Sequence, residues 1–156
     1  DLFRMCVFTG QRVGNVREMR FSDVDTDEGV WFIKETKQGK LHRAVLPTAA
    51  LEMLESRTGD SDLVFPGRLE GKSITSGGYR KAWERALRIA EIDDLTVHDL
   101  RSIHATQTLQ AGVVEQIQRQ LGHASPEMTQ RYLRPAAGAQ RLMMDAALNG
   151  VLDFST

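Results

Sequence analysis

Residues 121–132 read LGHASPEMTQRY, and this stretch organises the rest of the chain. His123 precedes Tyr132 by nine positions, with a Ser-Pro pair between them. One unbroken helix would turn the two side chains to opposite sides, because each helical residue turns about 100°. The sequence instead predicts that one helix ends at Gly122 and that Ser125 caps a short second helix. We therefore expect His123 in a tight turn and Tyr132 near the end of a short helix.

The composition is that of an ordinary soluble protein with one domain. Of the 156 residues, 41% are hydrophobic and 26% are charged. The sequence contains no apolar run of the roughly 18 to 20 residues that a membrane helix needs, and no signal-peptide pattern. Cys6 is the single cysteine, which excludes an internal disulfide and fits a reducing cytoplasm. We expect it to serve as a small apolar residue in the first helix.

The charge balance is unlike that of most nucleic-acid-binding proteins. Twenty basic residues against 21 acidic residues give a formal net charge of −1. A basic balance is the usual footprint of such a protein. Binding to a polyanion would therefore require an uneven placement of the positive charges.

Periodicity and turn signals predict an α+β fold that is mostly α-helical, with a small three-stranded antiparallel β-sheet near the N-terminus. Glycine-containing turns separate the expected strands. Thr48 is expected to cap one helix, and Thr75 or Ser76 to open the next, which would carry Tyr79, Trp83, Ala86, Leu87 and Ala90 on one face. The strands are expected around 24, 31–33 and 41–46, and the helices at 2–9, 14–20, 48–56, 76–90, from the capping box 96–99 to 112, 113–121 and 139–148.

The side chains with chemical potential are mostly cationic. Arg12 lies in a glycine-bounded turn, Lys37 in the hairpin between two strands, and His98 and Arg101 are three apart at a helix start. One guanidinium group can form two parallel hydrogen bonds to phosphate oxygens, and it stays charged at any physiological pH. A tyrosine can act as a covalent nucleophile, although forming phenolate at neutral pH costs about 4 kcal/mol. Nearby cations lower that cost, so this set of residues suits attack on a phosphate without a metal ion.

Each of these residues taken alone has a structural explanation. Tyr132 could pack at a helix end, Arg12 could cap carbonyls of the preceding helix, and the basic residues of the 76–90 helix could form a solvated face. The pair His98-Asp99 also resembles the start of a metal phosphohydrolase motif, but further ligands at suitable spacing are missing. A zinc site is unsupported by one cysteine and scattered histidines. We interpret His42 and His104 as structural.

Five short motifs occur in one order along the chain. They are TGQR around Arg12, TKQGK around Lys37, HDLR from His98 to Arg101, LGH ending at His123 and TQRY ending at Tyr132. Each motif alone is weak, because such short patterns arise by chance. Together and in this order they resemble the tyrosine recombinase (phage integrase) family, and the resemblance covers nearly the whole chain.

The resemblance implies a role for each matching residue. Arg12 and Arg101 would bind the scissile phosphate, and Tyr132 would attack it to form a 3′-phosphotyrosine link. Lys37 would protonate the leaving 5′-hydroxyl. In the same scheme His98 would assist proton transfer and His123 would hydrogen-bond a phosphate oxygen. The reaction would need no cofactor, metal or ATP.

The resemblance also implies partners and a domain arrangement. Residues 1–156 would be a single catalytic domain, the C-terminal part of a longer recombinase whose N-terminal core-binding domain is absent from this chain. The partner would be double-stranded DNA at specific recombination sites, with a monomer in isolation and a tetrameric synapse on DNA. The enzyme would be cytoplasmic and nucleoid-associated, encoded by a bacterium or phage. Candidate DNA contacts are Lys40, Arg43, Arg80, Lys81, Arg85 and Arg88.

Two departures from the family pattern concern the support of the site. Asn15 stands where an acidic residue is common, and Ser102-Ile103-His104 replaces the usual aromatic or histidine pair. The expected function is integration or excision of a prophage or mobile element. The alternatives are a Xer-like resolvase of chromosome or plasmid dimers, and a DNA-binding module without catalytic activity.

Overall fold

The structure is a computed structural model that describes residues 1–34, 41–57, 61–110 and 120–121. Within these residues it contains five α-helices, one short 3-10 helix and three strands. The helices are α1 (Leu2–Thr9), α2 (Val13–Arg17), α3 (Thr48–Glu55), α4 (Ser76–Ala90) and α5 (Asp99–Gln110); the 3-10 helix is Phe21–Asp23, and the strands are β1 (Val24–Asp25), β2 (Val30–Ile33) and β3 (His42–Val45).

The three strands form the predicted antiparallel sheet, in the order β1-β2-β3. Trp31 of β2 pairs with Val24 on one side and Ala44 on the other. Ile33 pairs with His42, so these two residues close the base of the β2–β3 hairpin. β2 is the central strand, and Val30, Trp31 and Ile33 are buried in it. This arrangement confirms the α+β class and the sheet that the sequence predicted.

The core lies between α1, the sheet and the segment around Val64. Met5 and Cys6 of α1 pack in the same buried cluster as Trp31 and Val64. Burial raises the pKa of the Cys6 thiol to about 12, so the side chain stays protonated. Cys6 therefore behaves as the small apolar residue that we expected. α1 also packs against α5, which carries part of the candidate active site.

Two predicted helix boundaries are wrong, and the structure gives the reasons. α2 ends at Arg17, because the backbone that follows pairs with another segment: Val64 N–H donates to the Met19 carbonyl at 2.9 Å, and Arg20 bridges to Leu63. Thr48 is the first residue of α3 and does not cap it, since the extended Pro47 occupies the N-cap position. Thr75 does cap α4, accepting a hydrogen bond from Gly78 N–H.

Helix α4 lies on the outside of the domain. Trp83 donates its indole N–H to the Leu95 carbonyl at 2.9 Å and meets the Phe3 ring edge-to-face at 4.9 Å. Ala86 and Ala90, which the sequence placed on the apolar face with Trp83, are exposed. The contact of α4 with the core is thus narrow, and most of its surface faces solvent.

No helix in the described ranges combines the length and the apolar character required to cross a membrane. The predicted helices 113–121 and 139–148 fall almost wholly outside these ranges, with only residues 120 and 121 described, both of them helical.

Gly10 ends α1 in the left-handed conformation, with φ +64°, and its N–H donates to the Cys6 carbonyl. A Cβ at this position would lie 2.5 Å from Cδ2 of His104 and 2.7 Å from Cδ2 of Leu121. Gly71 has a similar φ of +66°, but a Cβ there would meet nothing within 4 Å. Gly10 is therefore required both by its conformation and by the close approach of two side chains.

The two glycines allow strain and contact to be measured separately. Gly71→Ala should lower the free energy of unfolding by about 1 kcal/mol, the cost of an L-residue in the left-handed region. Gly10→Ala should lower it by about 1–3 kcal/mol more, because the new methyl group overpacks the site. Urea unfolding monitored by tryptophan fluorescence measures both values. Equal losses in the two variants would show that the contact with His104 and Leu121 is easily relieved.

Candidate active site

Arg101 is the third residue of α5, and its side chain is almost fully buried, with 3% exposure. One terminal nitrogen, Nη1, donates to the Gly10 carbonyl at 2.8 Å. The other, Nη2, donates to the Leu121 carbonyl at 2.8 Å. A buried charge is tolerated only when its donors are satisfied, and here backbone carbonyls contribute to that. Arg101 therefore joins three segments: the end of α1, the start of α5 and the helical residues 120–121.

Arg12 lies at the N-cap position of α2 and is exposed. The carbonyls at the end of α1 that accept side-chain hydrogen bonds in the described residues are bound by Arg101, at Gly10, and by Gln120, at Thr9, and not by Arg12. The two arginines thus differ: one builds the site, and the other presents its guanidinium at the surface.

The pKa of His42, on β3, is affected by the charges of both arginines. The pKa of His42 is lowered, first by burial and then by the positive charges of Arg101 and Arg12, against a raising effect of the Gln120 carbonyl. Both guanidinium groups are therefore close enough to His42 to disfavour a further positive charge. Gln11, next to Arg12, and Arg101 bind the adjacent carbonyls of Gln120 and Leu121, so the turn after α1 and the start of α5 meet at residues 120–121.

The carbonyl of Gln120 receives two side chains near the arginines. Nε2 of the buried Gln11 donates to it, and Nε2 of His42 lies 2.9 Å from the same oxygen. Nε2 of Gln11 also lies 3.1 Å from Nε2 of His42. The turn after α1 and strand β3 are in this way both attached to residue 120.

The side chain of Gln120 covers the free edge of β3. Its Oε1 accepts from Val45 N–H at 2.8 Å, and its Nε2 donates to the Val45 carbonyl at 2.8 Å. The same Nε2 lies 3.2 Å from the Thr9 carbonyl. The carboxamide thus pairs with Val45 as a neighbouring strand would. Together with the two contacts to its own carbonyl, this fixes Gln120 against both α1 and the sheet.

His98 is exposed in the turn before α5, and its carbonyl accepts from Arg101 N–H at 3.1 Å. The neighbouring Asp99 accepts from Thr96 N–H at 2.7 Å and from the Thr96 hydroxyl at 2.6 Å. These bonds lower the pKa of Asp99 and confirm the predicted capping box. Asp99 therefore serves the helix start, and the described residues contain no group of three His, Cys, Asp or Glu side chains able to hold a metal ion.

His104 has the structural role that we expected. Its Nδ1 lies 2.8 Å from the Val7 carbonyl, which makes this nitrogen the donor, and its ring packs against Gly10. Burial, and secondarily the charge of Arg101, lower its pKa. His104 thus supports the glycine whose carbonyl Arg101 binds.

Four of the predicted site residues lie outside the described residues. They are Lys37, Lys40, His123 and Tyr132. On the side of Lys37, the described part of the β2–β3 hairpin ends at Lys34, whose ammonium pairs with Asp23. On the side of His123, the last described residue is Leu121, which is buried with 1% exposure. Asn15 is half-buried and lines a cleft of about 510 Å³ between α2 and β2, together with Lys34.

The remaining candidate DNA contacts are all exposed. On α4 they are Arg80, Lys81, Arg85 and Arg88, and none of these forms an ion pair within the described part of the chain. Arg43 on β3 places its guanidinium carbon 5.9 Å from the centre of the Phe32 ring. Helix α4 thus carries four exposed basic residues against one acidic residue, Glu84, which is a local excess of positive charge in a chain with net charge −1.

The parts played by Gln11, His42 and Gln120 were not predicted from the sequence. Gln11 directly precedes Arg12 in the TGQR motif, and Gln120 directly precedes the LGH motif. Those positions were the only available signal. His42 has the structural role that we expected, but pairing in the sheet register could not reveal that its ring meets the Gln120 carbonyl.

The two arginines should differ in their contribution to stability. Arg101→Met should lower the free energy of unfolding by about 2–4 kcal/mol, because it leaves two carbonyls without their donor. Arg12→Met should change it by no more than about 0.5 kcal/mol, since the side chain is exposed. Chemical unfolding of the two variants beside the unaltered chain measures both values. A stable Arg101→Met variant would contradict the structural role of this guanidinium.

The lowered pKa values of His42 and His104 predict a pH dependence of stability. The unfolded chain takes up protons on both rings near pH 6.5, whereas the folded chain resists them until a lower pH. The unfolding free energy should therefore be highest above pH 6.5 and fall as the pH decreases from 7.5 to 5.5. His42→Gln and His104→Gln should each reduce this fall, measured by urea unfolding at the two pH values. An unchanged fall in both variants would refute the assignment.

Known proteins resemble this chain in sequence and in fold. A profile of the phage integrase family matches residues 1–138. The shufflon-specific DNA recombinase of Escherichia coli is 29% identical over 135 residues, covering 84% of this chain and 33% of the relative. Tyrosine recombinase XerC of Corynebacterium glutamicum is 30% identical over 134 residues, covering 80% of this chain and 42% of the relative. The chain thus spans less than half the length of these two relatives.

A solved structure shares the fold. The XerH site-specific recombinase, bound to its difH substrate in a pre-cleavage complex, superposes with a TM-score of 0.71 at 26% identity, covering 94% of this chain and 45% of that one. The family profile accounts for most of the chain, including all five motifs in their order. This chain belongs to the phage integrase, or tyrosine recombinase, family.

Proposed function

We propose that residues 1–156 are the catalytic domain of a longer site-specific DNA recombinase, which cleaves and rejoins DNA through a 3′-phosphotyrosine intermediate. The observation that carries the proposal is that Arg101 and Gln11, the neighbour of Arg12, bind the adjacent carbonyls of Leu121 and Gln120, where the LGH motif begins. Relatives named as DNA recombinases and a DNA-bound neighbour support it.

The two arginines are assigned to the scissile phosphate. Guanidinium groups form paired hydrogen bonds to phosphate oxygens and keep their charge at any physiological pH. Two of them at one phosphate stabilise the additional negative charge of the transition state. Arg101 is held rigidly by the carbonyls of Gly10 and Leu121, so its orientation is set before DNA arrives. Arg12 is exposed and able to meet the phosphate from the surface.

Tyr132 is assigned as the nucleophile. Its phenol oxygen forms a bond to phosphorus while the bond from phosphorus to the 5′ oxygen breaks. The phenol proton passes to a base, for which His98 is the candidate, and Lys37 gives a proton to the departing 5′ oxygen. His123 donates a hydrogen bond to a phosphate oxygen. The phosphodiester is exchanged for a phosphotyrosine ester of similar energy, so a 5′-hydroxyl can reseal the strand without ATP.

The exposed basic residues of α4, together with Arg43 and Lys40, are assigned to the DNA backbone. Contacts of Lys and Arg with phosphates supply affinity and register, and they weaken as salt rises. A tetrameric synapse on two DNA sites, with a monomer in isolation, is part of the same proposal. So is a cytoplasmic, nucleoid-associated location.

The biological role that we propose is integration or excision of a prophage or mobile element. The relatives named above include a shufflon-specific recombinase and a XerC recombinase, so a dimer resolvase is the alternative within the family. A DNA-binding module without activity is the alternative outside enzymes; every position of the proposed site is filled, and Asn15 in place of an acidic residue is the one departure that leaves room for it. Sequencing the DNA junctions that flank the encoding element would identify the site and decide the role.

A nicked suicide substrate tests the chemistry. The full-length protein is incubated with cognate DNA carrying a nick close to the cleavage position, so that the freed fragment diffuses away and the intermediate is trapped. We expect a covalent protein–DNA adduct on a denaturing gel, formed equally well in EDTA. Tyr132→Phe should form none, and Arg12→Ala should lose nearly all of it while keeping its fold.

Three results would count against the proposal. The absence of an adduct on any cognate site would favour the inactive DNA-binding module. An adduct that persists in Tyr132→Phe would move the nucleophile elsewhere. Loss of the reaction in EDTA would favour metal-dependent phosphate chemistry.

A further inference from the structure

Two consecutive backbone carbonyls are held from outside their own helix. Arg101 donates to the Leu121 carbonyl, while Gln11 and His42 approach the carbonyl of Gln120. The three side chains come from α5, from the turn after α1 and from β3. Gln11 and Arg101 are nearly fully buried, with 2% and 3% exposure. We call this arrangement the carbonyl clamp.

The position of the clamp explains why it is needed. The sequence predicts that the helix containing residues 120 and 121 ends at Gly122, and the last carbonyls of a helix have no donor within it. Such carbonyls are usually satisfied by water or by a glycine cap. Here they are bound by side chains from elements that also carry Arg12 and Arg101. The chain reaches His123 two residues after the clamp.

The chemistry of the two side chains at Gln120 is specific. Only the His42 tautomer with a proton on Nε2 donates to a carbonyl 2.9 Å away; the other tautomer would place two acceptors against each other. Gln11 supplies the second donor from a buried amide, and the Thr9 hydroxyl accepts from Gln11 N–H at 3.2 Å. The turn that presents Arg12 is thereby fixed to the same carbonyl as β3.

We infer that His42 and Gln11 are positioning residues of the recombinase site: through the Gln120 carbonyl they fix residues 120–121 relative to Arg101 and to the turn that presents Arg12. This inference rests on the proposed function for its catalytic consequence, but the clamp itself can be tested without DNA. Neither residue is assigned to the reacting groups.

Two substitutions of His42 distinguish the effect of losing the hydrogen bond from the effect of losing the ring volume. His42→Leu keeps a side chain of similar size but has no donor. His42→Gln places an amide N–H at the reach of the imidazole Nε2, so it can restore the bond. Val45→Thr is the matched control on the same strand, because its side chain is exposed and its backbone pairing with Gln120 is unchanged. Gln11→Met removes the second donor and serves as an independent variant.

The first measurement is hydrogen–deuterium exchange of the folded protein without DNA. In His42→Leu, peptides that contain Gln120 and Leu121 should exchange at least about fivefold faster, while peptides from α4 remain unchanged, because local opening needs only the clamp to release. His42→Gln should return the rate to within about twofold of the original protein. Gln11→Met should act in the same direction as His42→Leu, and Val45→Thr should have no effect.

The second measurement is single-turnover cleavage at saturating suicide substrate. His42→Leu should lower the cleavage rate constant by about tenfold or more through misplacement of the site, with DNA affinity changed less than about twofold. His42→Gln should recover most of the rate. A residue that only stabilised the fold would instead lower the amount of active protein and leave the rate constant of the folded fraction unchanged.

The two measurements fail in different ways. If the unaltered protein forms no adduct, the proposed function fails, and the exchange experiment still decides whether the clamp holds Gln120. Unchanged exchange in both His42→Leu and Gln11→Met overturns the inference. So does a normal cleavage rate in His42→Leu, or a His42→Gln variant that behaves no better than His42→Leu.

Discussion

The buried guanidinium of Arg101 is the interaction on which the rest of this site depends. Its two bonds, to the carbonyls of Gly10 and Leu121, join segments that are 91 and 20 residues away along the chain. A buried charge must be satisfied by hydrogen bonds. A shift of the surrounding backbone would break these bonds at a large cost in folding free energy. The need to satisfy this one cation therefore fixes the relative position of α1, α5 and residues 120–121.

Several features of the local sequence follow from that requirement. Gly10 takes a positive φ and lies so close to His104 and Leu121 that a Cβ would collide with both, which lets its carbonyl meet Arg101. The side-chain amide of Gln11, the next residue, donates to the Gln120 carbonyl. Arg12 then emerges at the surface. The TGQR motif can thus be explained residue by residue: a helix end, a buried connection and an exposed cation.

The sequence predicted the presence of helices, strands and caps better than it predicted where the helices end and which distant residues they contact. Sheet order, the turn at Gly10 and the caps at Thr75 and Thr96–Asp99 were confirmed, because each depends on neighbours within a few residues. The predicted end of α2 was wrong, because Met19 pairs with Val64, which is 45 residues away in sequence. The part played by His42 was missed for the same reason. Strand alternation places its side chain on a face of the sheet but does not reveal what that face meets.

The sequence by itself determined the class of fold, the inventory of cationic and nucleophilic side chains and, through five ordered motifs, the family. Those properties reside in residue types and spacing, which are read along one dimension. Only the tertiary structure decided that Arg101 is buried while Arg12 is exposed, and that Gln11 and His42 meet at the Gln120 carbonyl. The physical reason is that burial and hydrogen-bond partnership arise from packing between distant segments, and no residue carries that information in its own neighbourhood.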